Sequence, residues 1–321
     1  MSEKVKKITV LSPCYNEELN VKECYERVKE QLELLHETKG YDYEHLFIDN
    51  ASKDNTVKIL KELAAKDKQL KVICNARNAG WVRSMFYGLI QSHGDAVILI
   101  ESDLQTPPSY IPVFVEKWEE GYKIVAGVKA HSTENPIMFG IRKVFYAMLN
   151  KMSDVEIIQN YLGVGLYDQS FIEQLREVDD PYPFFRGMVA ELGTDIVTVP
   201  YNQEVRKRGK TSFNFFGMYD LAMLGFTSYT KVPLRLASFI GYIAAFICLI
   251  IACVGLVQKI IYWDSFDFGL AAVQVGLFFL GSVQLIFLGV IGEYISAIYT
   301  QVRKRPLVIE RERINFEKKD E

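Results

Sequence analysis

Residues 236–258 carry no charged side chain over 23 positions, and residues 268–292 carry none over 25. As helices, each would be roughly 34–38 Å long, enough for a hydrocarbon core of about 30 Å. Buried core helices of that length rarely avoid every charge, so two transmembrane helices are the better reading. Only nine residues, 259–267, join them, which makes the pair a tight hairpin. Lys231 and Arg235 precede the first stretch, and Arg303, Lys304 and Arg305 follow the second. The joining loop sets Lys259 against Asp264 and Asp267. Basic flanks mark the inside of a bacterial inner membrane, so both termini are expected to be cytoplasmic. Tyr262 and Trp263 in the loop, with Tyr294 and Tyr299 at the far end, suit the interfaces, and Glu293 falls where the second span ends.

Outside this region the chain reads differently. Its 321 residues, enough for about two domains, hold 37 Lys and Arg against 40 Asp and Glu, a net charge of −3. That balance speaks against a nucleic-acid binder working by bulk charge. An apolar content of 49% speaks against disorder. The first residues are charged and run into a strand pattern, so no signal peptide is expected. None of the five cysteines forms a CxxC pair, and neither a disulfide framework nor a zinc site is expected.

Up to about residue 130, short apolar runs alternate with helical periodicity. Strands are predicted at 8–12, 45–48, 71–74 and 96–100, and helices at 20–36, 56–65 and 81–92. Such alternation implies a parallel sheet covered on both faces, with ligands at the carboxyl ends of its strands. Three polar clusters fall there: 13–17 (PCYNE) after the first strand, 49–54 (DNASKD) after the second and 101–105 (ESDLQ) after the fourth. No GxGxxG follows the first strand and no GxxxxGK[ST] occurs, which argues against a nicotinamide dehydrogenase and a P-loop enzyme. Glu101, Asp103 and Gln105 offer oxygen ligands at alternate positions, suited to Mg²⁺ or Mn²⁺ bridging phosphates. The same residues equally suit a helix-capping loop, with Asp103 and Thr106 ahead of Pro107.

At these residues the chain resembles the family-2, A-type glycosyltransferases, and among them the polyprenyl-phosphate subgroup that includes dolichol-phosphate mannose synthase and the bactoprenol glucosyltransferases. The motifs PCYNE (13–17), IDNASKDNT (48–56), RNAG (77–80), ESDLQTPP (101–108), KWEEGYKIVAGVK (117–129), FYAMLNKMSD (145–154), FFRGMVAELG (184–193), RKRGKTSF (206–213) and TSYTKVPLRL (227–236) match in order. The resemblance implies an α/β, Rossmann-like GT-A domain over 1–211, an amphipathic interfacial segment over 212–230, the two spans within 231–300 and a cytoplasmic tail over 301–321. By the same resemblance, Pro13, Tyr15, Glu17, Asp49 and Arg77 bind the nucleotide, Asp49 accepting from the base imide of a uridine donor. Glu101, Asp103 and Gln105 match the DxDxQ metal motif, with Asp103 catalytic. Lys129, Arg142 and Lys143 fall where the family holds the acceptor phosphate, and a second basic run, Arg206, Lys207, Arg208 and Lys210, suits equally that phosphate and anchoring to anionic lipid headgroups. Departures are Asn50 and Glu101, where the family usually has Asp, the LGVGLYDQSF segment after Tyr161, and Ser212 in place of a common lysine.

The activity implied is inverting transfer of one sugar from a nucleotide diphosphate donor, a UDP-sugar, to undecaprenyl phosphate at the cytoplasmic leaflet, for cell-surface glycan synthesis. The resemblance also implies a homotetramer and a flippase as partner. A lipid phosphate is already an anion at neutral pH, so it needs cations rather than a strong base. A rival transferase to a glycan or glycolipid hydroxyl would need such a base, for which Asp168 or Glu191 stands as candidate. A second rival is a non-catalytic membrane scaffold, motivated by Asn50 and Glu101.

Overall fold

The structure is a computed structural model that describes residues 5–130, 157–204, 223–225, 227, 230, 232–261, 270–303 and 305–316. The chain runs β1 (Lys7–Cys14), α1 (Val21–Lys39), β2 (Asp42–Asp49), α2 (Thr56–Ala64), β3 (Leu70–Asn75), α3 (Trp81–Ile90), β4 (Ala96–Leu99), a 3₁₀ turn (Pro108–Tyr110), α4 (Ile111–Glu119) and β5 (Ile124–Lys129). It continues with β6 (Tyr161–Asp168), α5 (Gln169–Glu177), α6 (Phe185–Leu192), β7 (Ile196–Tyr201), α7 (Val232–Ile261), α8 (Leu270–Val302) and β8 (Glu310–Ile314). The sequence-predicted strands and helices up to residue 100 all appear, with ends shifted by at most three residues.

The strands form one sheet in the order β7-β5-β6-β4-β1-β2-β3-β8. Six strands run the same way, while β6 lies antiparallel between β4 and β5, and β8 lies antiparallel on β3. The sheet is therefore mixed, not wholly parallel. Alternation along the strands sends side chains to both faces. Ile8, Val10, Phe47, Val72 and Ile98 join α1, α2 and α4 on one face. Leu11, Leu46, Ile48, Ile73 and Val97 join α3, α5 and α6 on the other. The predicted apolar stripe of α1, Val21, Cys24, Val28, Leu32 and Leu35, is buried. Gly40 ends that helix at φ 73°, its N–H donating to the His36 carbonyl at 2.9 Å, the left-handed stop that glycine adopts without strain. Gly165 of β6 is required for a different reason: a Cβ there would meet the Val125 carbonyl oxygen at 2.2 Å.

The segment expected as a tail contributes β8, which closes the sheet edge. Asn315 stands at φ 60° and its Nδ2 donates to the carbonyls of Ala64, Asp67 and Leu70 at 2.8, 3.0 and 2.8 Å. Lys61 pairs with Glu312 at 2.8 Å, the Tyr87 hydroxyl donates to Glu310 at 2.7 Å, and Phe316 is flanked by the cations of Lys71 and Arg313. The two long helices touch, with Phe287 of α8 against Gly241 of α7, and Tyr294 donates to the Thr230 carbonyl at 2.8 Å. Their described apolar side chains face outward: Phe239 is 62% exposed and Leu285 71%. Among the described residues one window, Phe279–Val302, is long and apolar enough to cross a membrane, and Leu234–Ala244 is a shorter apolar stretch. None of the longer window is buried among the described residues.

One buried charge cluster sets a test of the core. Glu44, 3% exposed, accepts from Lys71 at 2.8 Å, from Thr9 Oγ1 at 2.8 Å and from Lys7. Burial alone would raise its pKa, but the two ammonium groups outweigh that and hold the carboxyl below the ordinary 4.5. Removing one partner of such a set leaves uncompensated charge, so Glu44→Gln should cost about 3 kcal/mol at neutral pH in equilibrium unfolding of the detergent-solubilised chain. Because the folded pKa is depressed, the wild type's advantage is complete above 4.5 and shrinks as pH falls through lower values.

Candidate active site

All six co-directional strands end at one edge of the sheet, and there the polar clusters meet. After β1 the chain turns at Asn16, φ 54°, and is locked to the segment after β2. The Asn16 N–H donates to Ser52 Oγ at 2.8 Å, the Lys53 N–H returns to Asn16 Oδ1 at 2.8 Å, and the Glu17 N–H donates to Thr56 Oγ1 at 2.9 Å. Glu17 is 8% exposed, and its carboxylate accepts from Asn20 Nδ2 at 2.6 Å. It therefore holds the loop that carries Pro13 and Tyr15. Asp49, at the end of β2, is fully buried and accepts from the Ser52 N–H at 3.1 Å. Burial pushes its pKa above the ordinary carboxylate value, while Ser52 and the Arg311 guanidinium oppose that rise.

After β4 the loop alternates: Ser102, Leu104 and Thr106 point into the protein, and Glu101, Asp103 and Gln105 are half-exposed. Ser102 Oγ donates to the Pro13 carbonyl at 2.8 Å, which joins this loop to β1. Leu104 sits at φ 61°, and Asp103 Oδ1 accepts from the Gln105 N–H at 3.1 Å. The 3₁₀ turn that follows is capped by Pro107 with no side-chain bond, so Asp103 and Thr106 do not serve as a helix cap. Gln203 Nε2 donates to Gln105 Oε1, and the Glu204 N–H donates to the Gln105 carbonyl at 2.9 Å. Among the described residues no three His, Cys, Asp or Glu side chains converge as a metal cage. Two carboxylates on one exposed side of a loop still fit a hard cation that keeps waters and takes its remaining oxygens from substrate phosphates. Lys129 ends β5 at the same edge, while Arg142, Lys143, Arg206 and Lys210 lie outside the described residues.

Asn50 has a structural role. Its Oδ1 accepts from the Ala79 N–H at 2.9 Å and from Asn75 Nδ2 at 3.1 Å, and its Nδ2 donates to Asn78 Oδ1 at 3.0 Å. Asn78 in turn accepts from the Gly80 N–H at 2.9 Å, so the loop bearing the exposed Arg77 is built on this amide. A carboxylate at position 50 could accept the same two bonds but could not donate to Asn78 Oδ1, so the amide suits this loop where an acid would lose one bond.

Asp168 is not placed to act as a base. It pairs in register with Ala96, the first residue of β4, at the opposite edge of the sheet. Its carboxylate caps α5 and accepts from Trp118 Nε1 at 2.8 Å and from the Ser170 N–H at 3.0 Å. Glu191 is exposed near the end of α6. Two features escaped sequence reasoning. Gln203 bonds a site residue from a segment with no motif, and β8 brings Arg311 to Asp49; the strict E-R-E-R alternation of 310–313 was the one available signal.

Residues 9–175 match the family described as glycosyl transferase family 2. An uncharacterized glycosyltransferase of Bacillus subtilis is 32% identical over 97% of this chain and 95% of its own length. The prophage bactoprenol glucosyl transferase homolog of Escherichia coli is 32% identical over 94% of this chain and 98% of its own. The bactoprenol glucosyl transferase of Shigella phage SfII is 33% identical over 94% and 97%. Among solved structures, a mannosyltransferase of Pyrobaculum calidifontis is 15% identical with a TM-score of 0.45, over 94% of this chain and 87% of its own.

The Asn50 network predicts a graded response. Asn50→Asp keeps both accepted bonds but loses the one donated to Asn78 and should cost about 1 kcal/mol, whereas Asn50→Ala also strands two donors and should cost about 2–3 kcal/mol. Hydrogen exchange of the amides of residues 76–80 should accelerate in the alanine variant and stay near wild type in the aspartate variant.

Proposed function

The chain belongs to glycosyl transferase family 2, and from that premise we propose that it moves one sugar from a UDP-sugar onto undecaprenyl phosphate at the cytoplasmic face of the bacterial membrane, with inversion and with a divalent metal. The observation that carries this reading is the convergence on one sheet edge of Asp49, of Glu101 with Asp103, and of Lys129, from strands ordered β2-β1-β4-β6-β5. Base, diphosphate and acceptor phosphate would lie in that order along the edge.

In this account Asp49 accepts the base imide, and Pro13, Tyr15 and Arg77 line the nucleotide. Glu17 and Asn50 hold their loops. Glu101 and Asp103, with Gln105 steadied by Gln203, would hold Mg²⁺ or Mn²⁺, which offsets the negative charge that builds on the departing diphosphate. Lys129, together with Arg142, Lys143, Arg206 and Lys210, would hold the acceptor phosphate close to the sugar. A phosphate monoester needs no proton removed, and the hydrogen bonds that occupy Asp168 on the opposite edge weigh against the hydroxyl-acceptor rival. The reading extends, through the family, to a homotetramer and to a flippase partner.

Membrane placement has a topological support. Strands β7 and β8 share one sheet, so an even number of crossings must separate residue 201 from residue 310. If α8 crosses, α7 must cross back, which favours the two-helix hairpin with both ends on the side of the active site.

Purified full-length protein given a UDP-sugar and Mn²⁺ should form a glycolipid with undecaprenyl phosphate and fall at least 100-fold with undecaprenol or lipid-free acceptors. Asp103→Asn should lower kcat by 100-fold or more. Equal product without a phosphate-bearing lipid would sink the proposal.

A further inference from the structure

The edge of the sheet beside Asp49 is completed by a residue from the far side of the anchor. β8 pairs antiparallel to β3, so its first residues lie at the carboxyl edge, where the donor site is. The register is broken there: Cys74 faces Glu312 and Asn75 faces Glu310, which leaves Arg311 opposite no residue of β3. It is the extra residue of a bulge, the irregularity by which a strand re-aims one side chain. The bulge falls beside Cys74, which pairs in register with Asp49 of β2, so Arg311 enters the sheet next to that carboxylate, and its charge favours the ionised form of both groups. Among the described residues Asp49 also meets the Cys14 thiol of β1, the Ser52 N–H of the β2–α2 loop and, in register on β3, Cys74, none of which carries a positive charge. Arg311 is half-exposed at 48%, with its Nη2 3.5 Å from Glu312 Oε1. The Ile309 carbonyl also accepts from the Ala76 N–H at 2.8 Å, so the same segment supports the loop that carries Arg77.

A uracil ring presents an N–H flanked by two carbonyl oxygens. An acceptor beside a cationic donor complements that edge. Cytosine presents an unprotonated nitrogen at the same position and would face the carboxylate lone pairs. We propose that Arg311 is a base-recognition residue of the donor site, donating to a uracil carbonyl next to the imide that Asp49 accepts. The C-terminal strand is thereby part of the nucleotide pocket, and the membrane anchor is joined to the donor site by the eight residues between Val302 and β8's second residue. This inference rests on Asp49 being the base acceptor, as proposed above.

The test is the affinity of full-length protein for UDP and for CDP, by calorimetry with Mn²⁺ present. Arg311→Gln should weaken UDP about tenfold and leave the weak binding of CDP unchanged, while Arg311→Lys should recover part of the UDP affinity. Unchanged UDP affinity in Arg311→Gln, or equal weakening of UDP and CDP in both variants, would overturn the proposal, since a merely structural role moves both nucleotides together. Asp49→Asn separates the two readings. If it weakens UDP while Arg311→Gln does not, only the role of Arg311 fails. If neither variant affects UDP, the assignment of Asp49 fails with it.

Discussion

The pairing of β8 with β3 is the constraint on which the arrangement depends. A chain that leaves the catalytic sheet after β7 and enters two long apolar helices must come back to the same sheet before it ends. That return is secured by polar contacts together with a few apolar residues, Leu307, Val308, Ile314 and Phe316, that reach the core. Asn315 satisfies three carbonyls of the α2–β3 connection, Lys61 and Tyr87 bind the two glutamates of the strand, and Phe316 is held between two cations. The long helices and the sheet are thus joined through β8.

The site follows from strand direction. Co-directional strands deliver their polar ends to one edge, and each loop is fastened to its neighbour: Asn16 to Ser52, Ser102 to Pro13, Asn50 to Ala79, Gln203 to Gln105. The polar residues of these loops divide into two kinds. Glu17 and Asn50 turn inward and hold loops, while Glu101, Asp103 and Gln105 alternate outward and remain accessible. A phosphate acceptor suits such an edge because it asks for charge and position, not for a buried base.

Much of this was legible in the sequence. Apolar runs of four or five residues gave the strands, their polar sequels gave the edge, and two charge-free stretches gave the long helices. The direction of β6 was not legible, because a strand in the middle of a sheet is equally apolar whichever way it runs. β8 was hidden because E-R-E-R-I carries one apolar residue, Ile314, too few for a strand pattern, although Ile314 with Leu307 and Phe316 packs on the two cores. The role of Asn50 was hidden because its partners, Asn75, Asn78 and Ala79, lie about thirty residues away and meet it only across β2 and β3. The basic residues at 142, 143, 206 and 210 fall outside the described segments, so the acceptor side rests on the sequence and on Lys129.

The central claim is that catalytic domain and C-terminal strand form one sheet on one side of the membrane, with the hairpin between them. Protease protection of epitope tags in sealed inside-out vesicles tests it most directly, with tags at the N-terminus, after residue 316 and within residues 262–267. The account predicts that both terminal tags are cleaved on the cytoplasmic face while the loop tag is protected. A C-terminal tag protected on the face opposite the N-terminal one would contradict it.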